Sequence, residues 1–323
     1  MLLKNSFLSL FVAIFYFGIH AQQDKLITHF IYDKMTINPG KTGIDMFNSI
    51  CGTSIYRNQW DKVNGAPNSA VLNIEANLSK FFPGGVGIAF YHDAIGFARQ
   101  NNVLLNYSYP IQIGRAGVLG VGVGIGIMNY GLDPDWVPPT ANPDASLPAG
   151  FAATSLDANF GLYFNGKDFY AGISSTHLSA SLLEQNVTVN NVSFAQSYQT
   201  ARHYYVMGGK QFKKIGGPKG TIDAQILLRT DLVKFSGDLN VRYLHSLAGG
   251  KQVYGGITAR SSDALAIMAG YTPIPKLTIG YSYDMTLLNK LSSISKGSHE
   301  LVVKYCYYLP PPPKQNARHP RWL

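Results

Sequence analysis

From about Phe47 to Tyr308 apolar and polar residues alternate with a period of two, and a chain that repeats this in segment after segment builds sheet. In Val71 to Ser79, Leu72, Ile74, Ala76 and Leu78 face one way, Asn73, Glu75 and Asn77 the other. Ile222, Ala224, Ile226 and Leu228 oppose Asp223, Gln225 and Arg229; Leu239, Val241 and Tyr243 oppose Asp238, Asn240 and Arg242. Near the C-terminus, Leu277, Ile279, Tyr281, Tyr283 and Met285 oppose Thr278, Gly280, Ser282 and Asp284. Leu301, Val303, Tyr305 and Tyr307 oppose Glu300, Val302, Lys304 and Cys306. A soluble sandwich alternates as well, apolar face inward, so the pattern alone leaves sandwich and barrel open.

Three further features choose the barrel. Tyr107, Tyr109, Tyr281, Tyr283, Tyr305 and Tyr307 gather at strand ends on the apolar parity, the placement of an aromatic girdle. The polar parity carries Arg57, Glu75, Arg242 and Arg260 at mid-strand, charges a packed sandwich core could not hold unpaired. Connection lengths alternate too: tight turns such as Asn165-Gly166-Lys167, Ala248-Gly249-Gly250 and Pro273-Ile274-Pro275 fall on one rim. The long connections, Gly131 to Phe151 and Ser179 to Thr200, fall on the other. The expected fold is all-β: a transmembrane outer-membrane β-barrel of about fourteen antiparallel strands. Strands are expected near 47–61, 69–79, 84–93, 99–110, 117–130, 152–164, 168–178, 201–213, 220–230, 236–246, 252–260, 264–272, 276–287 and 298–308. Only 14% of residues are charged, and past the N-terminus no apolar run approaches the ~20 residues of a spanning helix, so a helical membrane protein is excluded.

Residues 1–21 read as a secretory signal peptide: Lys4, then the apolar stretch Phe7 to Gly18, then Ile19-His20-Ala21 before cleavage at Gln22. Residues 22–46 are not clearly strand and are expected to be periplasmic or to enter the lumen as a plug. Residues 47–308 form the barrel, and 309–323 a Pro-rich basic tail with Lys314, Arg318, His319 and Arg321. Both termini are expected in the periplasm, with the long loops outside the cell.

No chemistry-bearing motif survives its context. In Gly117 to Gly126, the glycines Gly120, Gly122, Gly124 and Gly126 share one parity while Leu119, Val121, Val123, Ile125 and Ile127 share the other. No helix follows, so a phosphate loop is rejected in favour of a side-chain-free inner face that leaves room for a plug or another backbone. His92, His177, His203, His245 and His299 lie on separate strands or rims without a nucleophile signature. Metal-ligand spacing is missing, and Asp133 with Asp135 is too little for calcium. No catalytic residue, metal or cofactor is expected. Cys51 and Cys306 fall near the same ends of the first and last strands, as either a closing disulfide or two small buried thiols. The net charge of +9 is spread over lumen, turns (Lys213, Lys214, Lys219) and tail, which fits lipid headgroups or a periplasmic partner and not nucleic acid.

The chain also resembles the PorP/SprF family of Bacteroidota outer-membrane proteins. The resemblance rests on Ile37-Asn38-Pro39-Gly40 with Lys41-Thr42-Gly43, then Tyr56-Arg57-Asn58-Gln59-Trp60 and Gly65-Ala66-Pro67. It continues in Gly87-Ile88-Ala89-Phe90-Tyr91-His92-Asp93 with Ile95-Gly96, in Gly297-Ser298-His299-Glu300-Leu301, and in Pro320-Arg321-Trp322-Leu323. Cys51, Cys306 and the Gly131 to Phe151 loop depart from the pattern. The resemblance implies a non-enzymatic barrel of the type IX secretion and gliding machinery. It would help export, or anchor at the cell surface, an adhesin bearing a C-terminal sorting domain, with secretion components and periplasmic or lipoprotein partners. Tyr56, Arg57, Asn58, Trp60, Gly65, Pro67, His299 and Glu300 become candidates for partner contact or a structural role; Trp60 serves equally as an interfacial anchor. A channel for small or hydrophobic molecules is the alternative.

Overall fold

The computed structural model describes residues 25–46, 48–77, 83–135, 150–189, 192–261, 264–287 and 293–309. The expected signal peptide and the basic tail lie outside these residues. Strands β1 (Ser49–Asn58), β2 (Asn68–Asn77), β3 (Gly85–Ile95), β4 (Ala98–Ile113), β5 (Gly117–Leu132), β6 (Phe151–Gly166) and β7 (Phe169–Thr176) form the first half of the wall. After a hairpin, β8 (Leu182–Val189) and β9 (Val192–Gln199), the wall resumes with β10 (His203–Lys213), β11 (Gly220–Thr230), β12 (Phe235–Ser246) and β13 (Gln252–Arg260). It ends with β14 (Ala264–Ile274), β15 (Leu277–Thr286) and β16 (Ser298–Tyr308). Each wall strand pairs antiparallel with the next, β7 pairs with β10, and β16 returns to β1, closing a barrel of 14 strands with no free wall edge.

The expected strand number and order are those observed. The difference is the hairpin β8–β9, a separate two-stranded sheet inside the expected long loop Ser179 to Thr200. Its strands, LLEQNVTV and VSFAQSYQ, are short and pair with each other and not with the wall.

The alternation becomes two faces. Along β1, Ser49, Cys51, Thr53, Ile55 and Arg57 are buried inward, with Ile50 and Tyr56 outside. Outward residues such as Leu105 and Ile125, each 63% exposed, form the apolar belt that faces lipid. The β1 start and β16 end lie on the rim of short turns; the opposite rim carries the 59–67 connection, the β8–β9 hairpin and the other long loops.

Residues 25–46 occupy the lumen. They include a one-turn helix, α1 (Lys34–Ile37), and a 3-10 turn, Pro39–Lys41. Phe30, Ile31, Ile37 and Ile44 pack against Tyr163, Tyr205, Met207, Leu227, Tyr254 and Met268. Ile27 packs against Ile55, Val71, Tyr91 and Val302, and Met35 against Ala89 and Leu104. The plug therefore contacts strands all round the wall.

Candidate functional site

An irregular segment inside a barrel must have its backbone polar groups met by the wall. Glu300 on β16 does this for Thr28 and His29: it accepts from Thr28 N (2.8 Å), His29 N (2.6 Å) and the His29 ring Nδ1 (2.7 Å). Arg57, directly opposite Glu300 in the β1–β16 register, donates to it at 3.1 Å and lies 2.8 Å from Asp284 on β15. Thr28 Oγ1 donates to Asp284 at 2.6 Å and accepts from Arg57 at 3.0 Å. Arg260 on β13 reaches Asp284 (3.5 Å) and Asp238 (2.8 Å), and Arg229 pairs with Asp238. Opposite charges thus alternate along half the inner wall, each balancing its neighbours. The plug's Tyr32 accepts from Arg242, itself paired with Asp223 at 2.5 Å.

Lower in the lumen the contact is backbone on backbone. Gly40 lies so close to the wall that a Cβ on it would sit 2.7 Å from the Gly161 carbonyl and 2.8 Å from that of Gly120. A Cβ on Gly122 would overlap the Pro39 carbonyl, and one on Gly161 the Asn38 side chain. Asn38 donates to Leu162 O (2.9 Å) and Ile173 O (3.2 Å), while Ser174 and Ser108 donate to Ile37 O and Gly40 O, both at 2.7 Å. Gly122→Val should push Pro39 off the wall and destabilise the barrel by about 1–3 kcal/mol. A lowered urea midpoint, with residues 25–46 newly open to protease, is the expected readout.

Three lysines of the plug differ in their company. Lys25 is 3.7 Å from Asp33; Lys41 is 2.5 Å from Glu75 and 3.1 Å from Asp45. Burial pulls the Lys41 ammonium down, and Asp45 and Glu75 more than reverse this, leaving it above its usual value. Lys34 instead stands over the Tyr170 ring at 3.7 Å; burial brings its ammonium down to about 7, against the opposing pull of Asp45. It lines a cavity of 240 Å³ at the short-turn end.

On the opposite rim the 59–67 connection is fixed on both sides. Trp60 N donates to Ser298 Oγ (3.1 Å), Asp61 N to Gly297 O (2.7 Å), and Gly96 N to Gly65 O (2.9 Å). Trp60 and Lys62 are held at φ 52° and 72°, left-handed conformations unusual for such side chains. The result is a recess of 370 Å³ whose lining includes Asn58, Trp60, Asp61, Asn64, Asn68 and Arg99.

A family model described as type IX secretion system membrane protein PorP/SprF matches residues 19–305. The chain belongs to the PorP/SprF family. No protein of curated function matches it. Solved barrels match in fold. The CymD monoaromatic hydrocarbon channel has a TM-score of 0.57 at 10% identity, covering 86% of this chain and 93% of that one. The Ralstonia pickettii toluene transporter TbuX gives 0.54 at 10%, covering 86% and 94%. A Pseudomonas aeruginosa FadL homologue gives 0.51 at 9%, covering 84% and 92%. Family and fold together make this PorP/SprF chain an outer-membrane β-barrel of type IX secretion, and the matched residues include the plug and most of β16.

The PorP/SprF motif residues from Tyr56 to Pro67, from Gly87 to Gly96 and at His299 and Glu300 gather in one quadrant, β16–β1–β2–β3, whereas Asn38 and Gly40 lie against β5, β6 and β7. Arg57 and Glu300 point inward and are occupied by the plug, whereas Tyr56 stands on the outer face, 55% exposed. His299 also faces outward, hydrogen-bonded to the Tyr281 hydroxyl at 2.6 Å. Asn58, Trp60 and Gly65 line the recess, and Pro67 O accepts from Gln59 N at 2.9 Å. Gly120 and Gly122 face the plug; Gly124 faces Asn106, and a Cβ on Gly126 would overlap the Val103 carbonyl. Cys51 and Cys306 form a disulfide. His177, one residue past the end of β7, and His203, which opens β10, approach to 6.1 Å between rings, with Asp157 2.9 Å from His177. No group of His, Cys, Asp and Glu among the described residues has the arrangement of a metal site. Sequence reasoning missed the wall partners of the plug. Their signal was apolar residues on the polar parity, Ile55, Val71, Leu227 and Val302, which break the alternation where the plug needs contact.

Proposed function

We propose that this barrel receives a secreted adhesin through its C-terminal sorting domain and anchors it at the cell surface, working by binding and not by catalysis. In this reading the long-loop rim faces outward, the short-turn rim faces the periplasm, and cargo meets the barrel at the recess around Trp60. The observation that carries it is the lumen filled by residues 25–46 beneath a rim whose loops are tied in place: a held surface suits docking, and a plugged lumen does not suit free passage of small molecules. Family membership supports the same role. The hydrocarbon channels share the fold alone, and at about 10% identity their substrates do not transfer.

Deleting the gene should abolish surface display of the partner adhesin while leaving the outer membrane as resistant to detergent as before. Antibody labelling of whole cells measures display. Normal labelling in the deletion strain overturns the proposal, and strong conductance of the purified wild-type barrel in planar bilayers would move the reading to a channel.

A further inference from the structure

The two rims differ in charge. Exposed cations sit on successive short turns: Arg115 between β4 and β5, Lys167 between β6 and β7, Lys214 and Lys219 between β10 and β11, Lys251 and Lys276 on the next two. Among the described residues of this end, Asp168, Asp45, Glu75 and Asp223 are the acids, and each already holds a cation: Lys213 at 2.6 Å, Lys41 at 3.1 Å and 2.5 Å, and Arg242 at 2.5 Å. The hydrogen bond from Lys213 keeps the Asp168 carboxyl below its usual value. The long-loop rim, by contrast, mixes both signs: Asp61, Lys62, Arg99, Asp133, Asp231 and Lys234.

Inside this cationic collar opens the 240 Å³ cavity, whose lining includes Lys34, Lys167, Tyr170 and Gln211 together with Asp45, Asp168 and Asp223, three carboxylates already paired with Lys41, Lys213 and Arg242. Its volume would hold one carboxylate side chain with a few waters, at about 30 Å³ per water. Lys34 is the plug lysine with no carboxylate in ion-pair range among the described residues; Lys25 and Lys41 each have one. On the far side of the mouth, inward-facing Lys304 likewise has no ion-pair partner among the described residues. A mouth rich in cations, with amide donors and an aromatic floor, fits an anion carried on a peptide. Lipid headgroups can meet the outer turns, but the wall separates them from Lys34.

We infer that the short-turn mouth is a docking site for an acidic protein segment, which seats one carboxylate beside Lys34 while the collar meets the rest of its charge. The inference does not rest on the adhesin reading, since the recess proposed for cargo is on the opposite rim.

The test uses the full chain, purified in an uncharged detergent, and a fluorescein-labelled peptide of alternating Gly and Glu followed by anisotropy. Binding should appear at low salt and weaken as salt rises. K34M should lower the affinity about tenfold, the loss of one charge-assisted contact, and K34R should restore most of it. The double variant K214Q/K219Q should bind more weakly and with a flatter salt dependence. Folding of each variant is checked by its heat-modifiable gel mobility. Should K34M fail that check, protection of Lys34 and Lys167 from acetylation by the peptide tests the same contact in the wild-type chain. Unchanged affinity in folded K34M, or absence of protection, overturns the inference. So does capture by phosphatidylglycerol vesicles with no binding of the peptide.

Discussion

Glu300→Ala is expected to release the plug. Four donors converge on this one carboxylate: two backbone amides, the His29 ring and Arg57. Removing it leaves Thr28 and His29 with unmet amides and Arg57 with Asp284 as its remaining carboxylate partner, in a site where Glu300 and Arg57 are each 1% exposed. Removing one partner from a buried ionic cluster destabilises by about 3–5 kcal/mol, because the groups left behind are cut off from water and have lost part of their compensation. The urea midpoint should fall accordingly, protease should reach residues 25–46 in the folded barrel, and current steps should appear in bilayers. Glu300→Gln keeps the shape and part of the accepting capacity, so its effect should be smaller. A Glu300→Ala barrel with unaltered protease resistance would show that the glycine wall alone retains the plug.

The second large effect is expected at the seam. Cys51 and Cys306 are directly opposed in the β1–β16 register and joined, which ties the first strand of the wall to the last across 255 residues. Linking so long a stretch restricts the unfolded chain strongly, and the loss of such a bond typically costs about 2–5 kcal/mol. The Cys51→Ser/Cys306→Ser pair should lower the urea midpoint, and reductant should then have no further effect. Purified wild-type protein should take up no thiol label until reduced; full labelling without reductant would rule the bond out.

What could be read from the sequence was whatever repeats. Period-two alternation in segments such as 221–229 and 238–243 marks both the strand and its faces, because lipid and lumen impose opposite polarity on adjacent residues. The glycine parity of β5 is legible for the same reason, as a row of absent side chains that leaves space for another backbone. Arg57 and Glu300 were reached through their motifs, but their common partner was not. Thr28 and His29 belong to a segment with no regular period, and nothing local ties them to a strand some 270 residues away. The hairpin β8–β9 stands outside this pattern: it pairs with itself and touches the wall through Tyr198 stacked on Tyr130 and Gln185 accepting from the Ala152 amide, contacts that no local alternation encodes.

The plug's position also sets the timing of assembly. Residues 25–46 precede the whole wall in the chain, yet Thr28 is held by Glu300, 272 residues later, on the last strand. Contacts this distant form only after the intervening chain has been ordered. The clamp, the seam pairing and the disulfide all wait for β16, so they become available together when the final strand arrives. A barrel lacking that strand would have an open edge, a free thiol and an unfastened plug at once, three marks by which quality-control proteases can tell an unfinished molecule from a finished one.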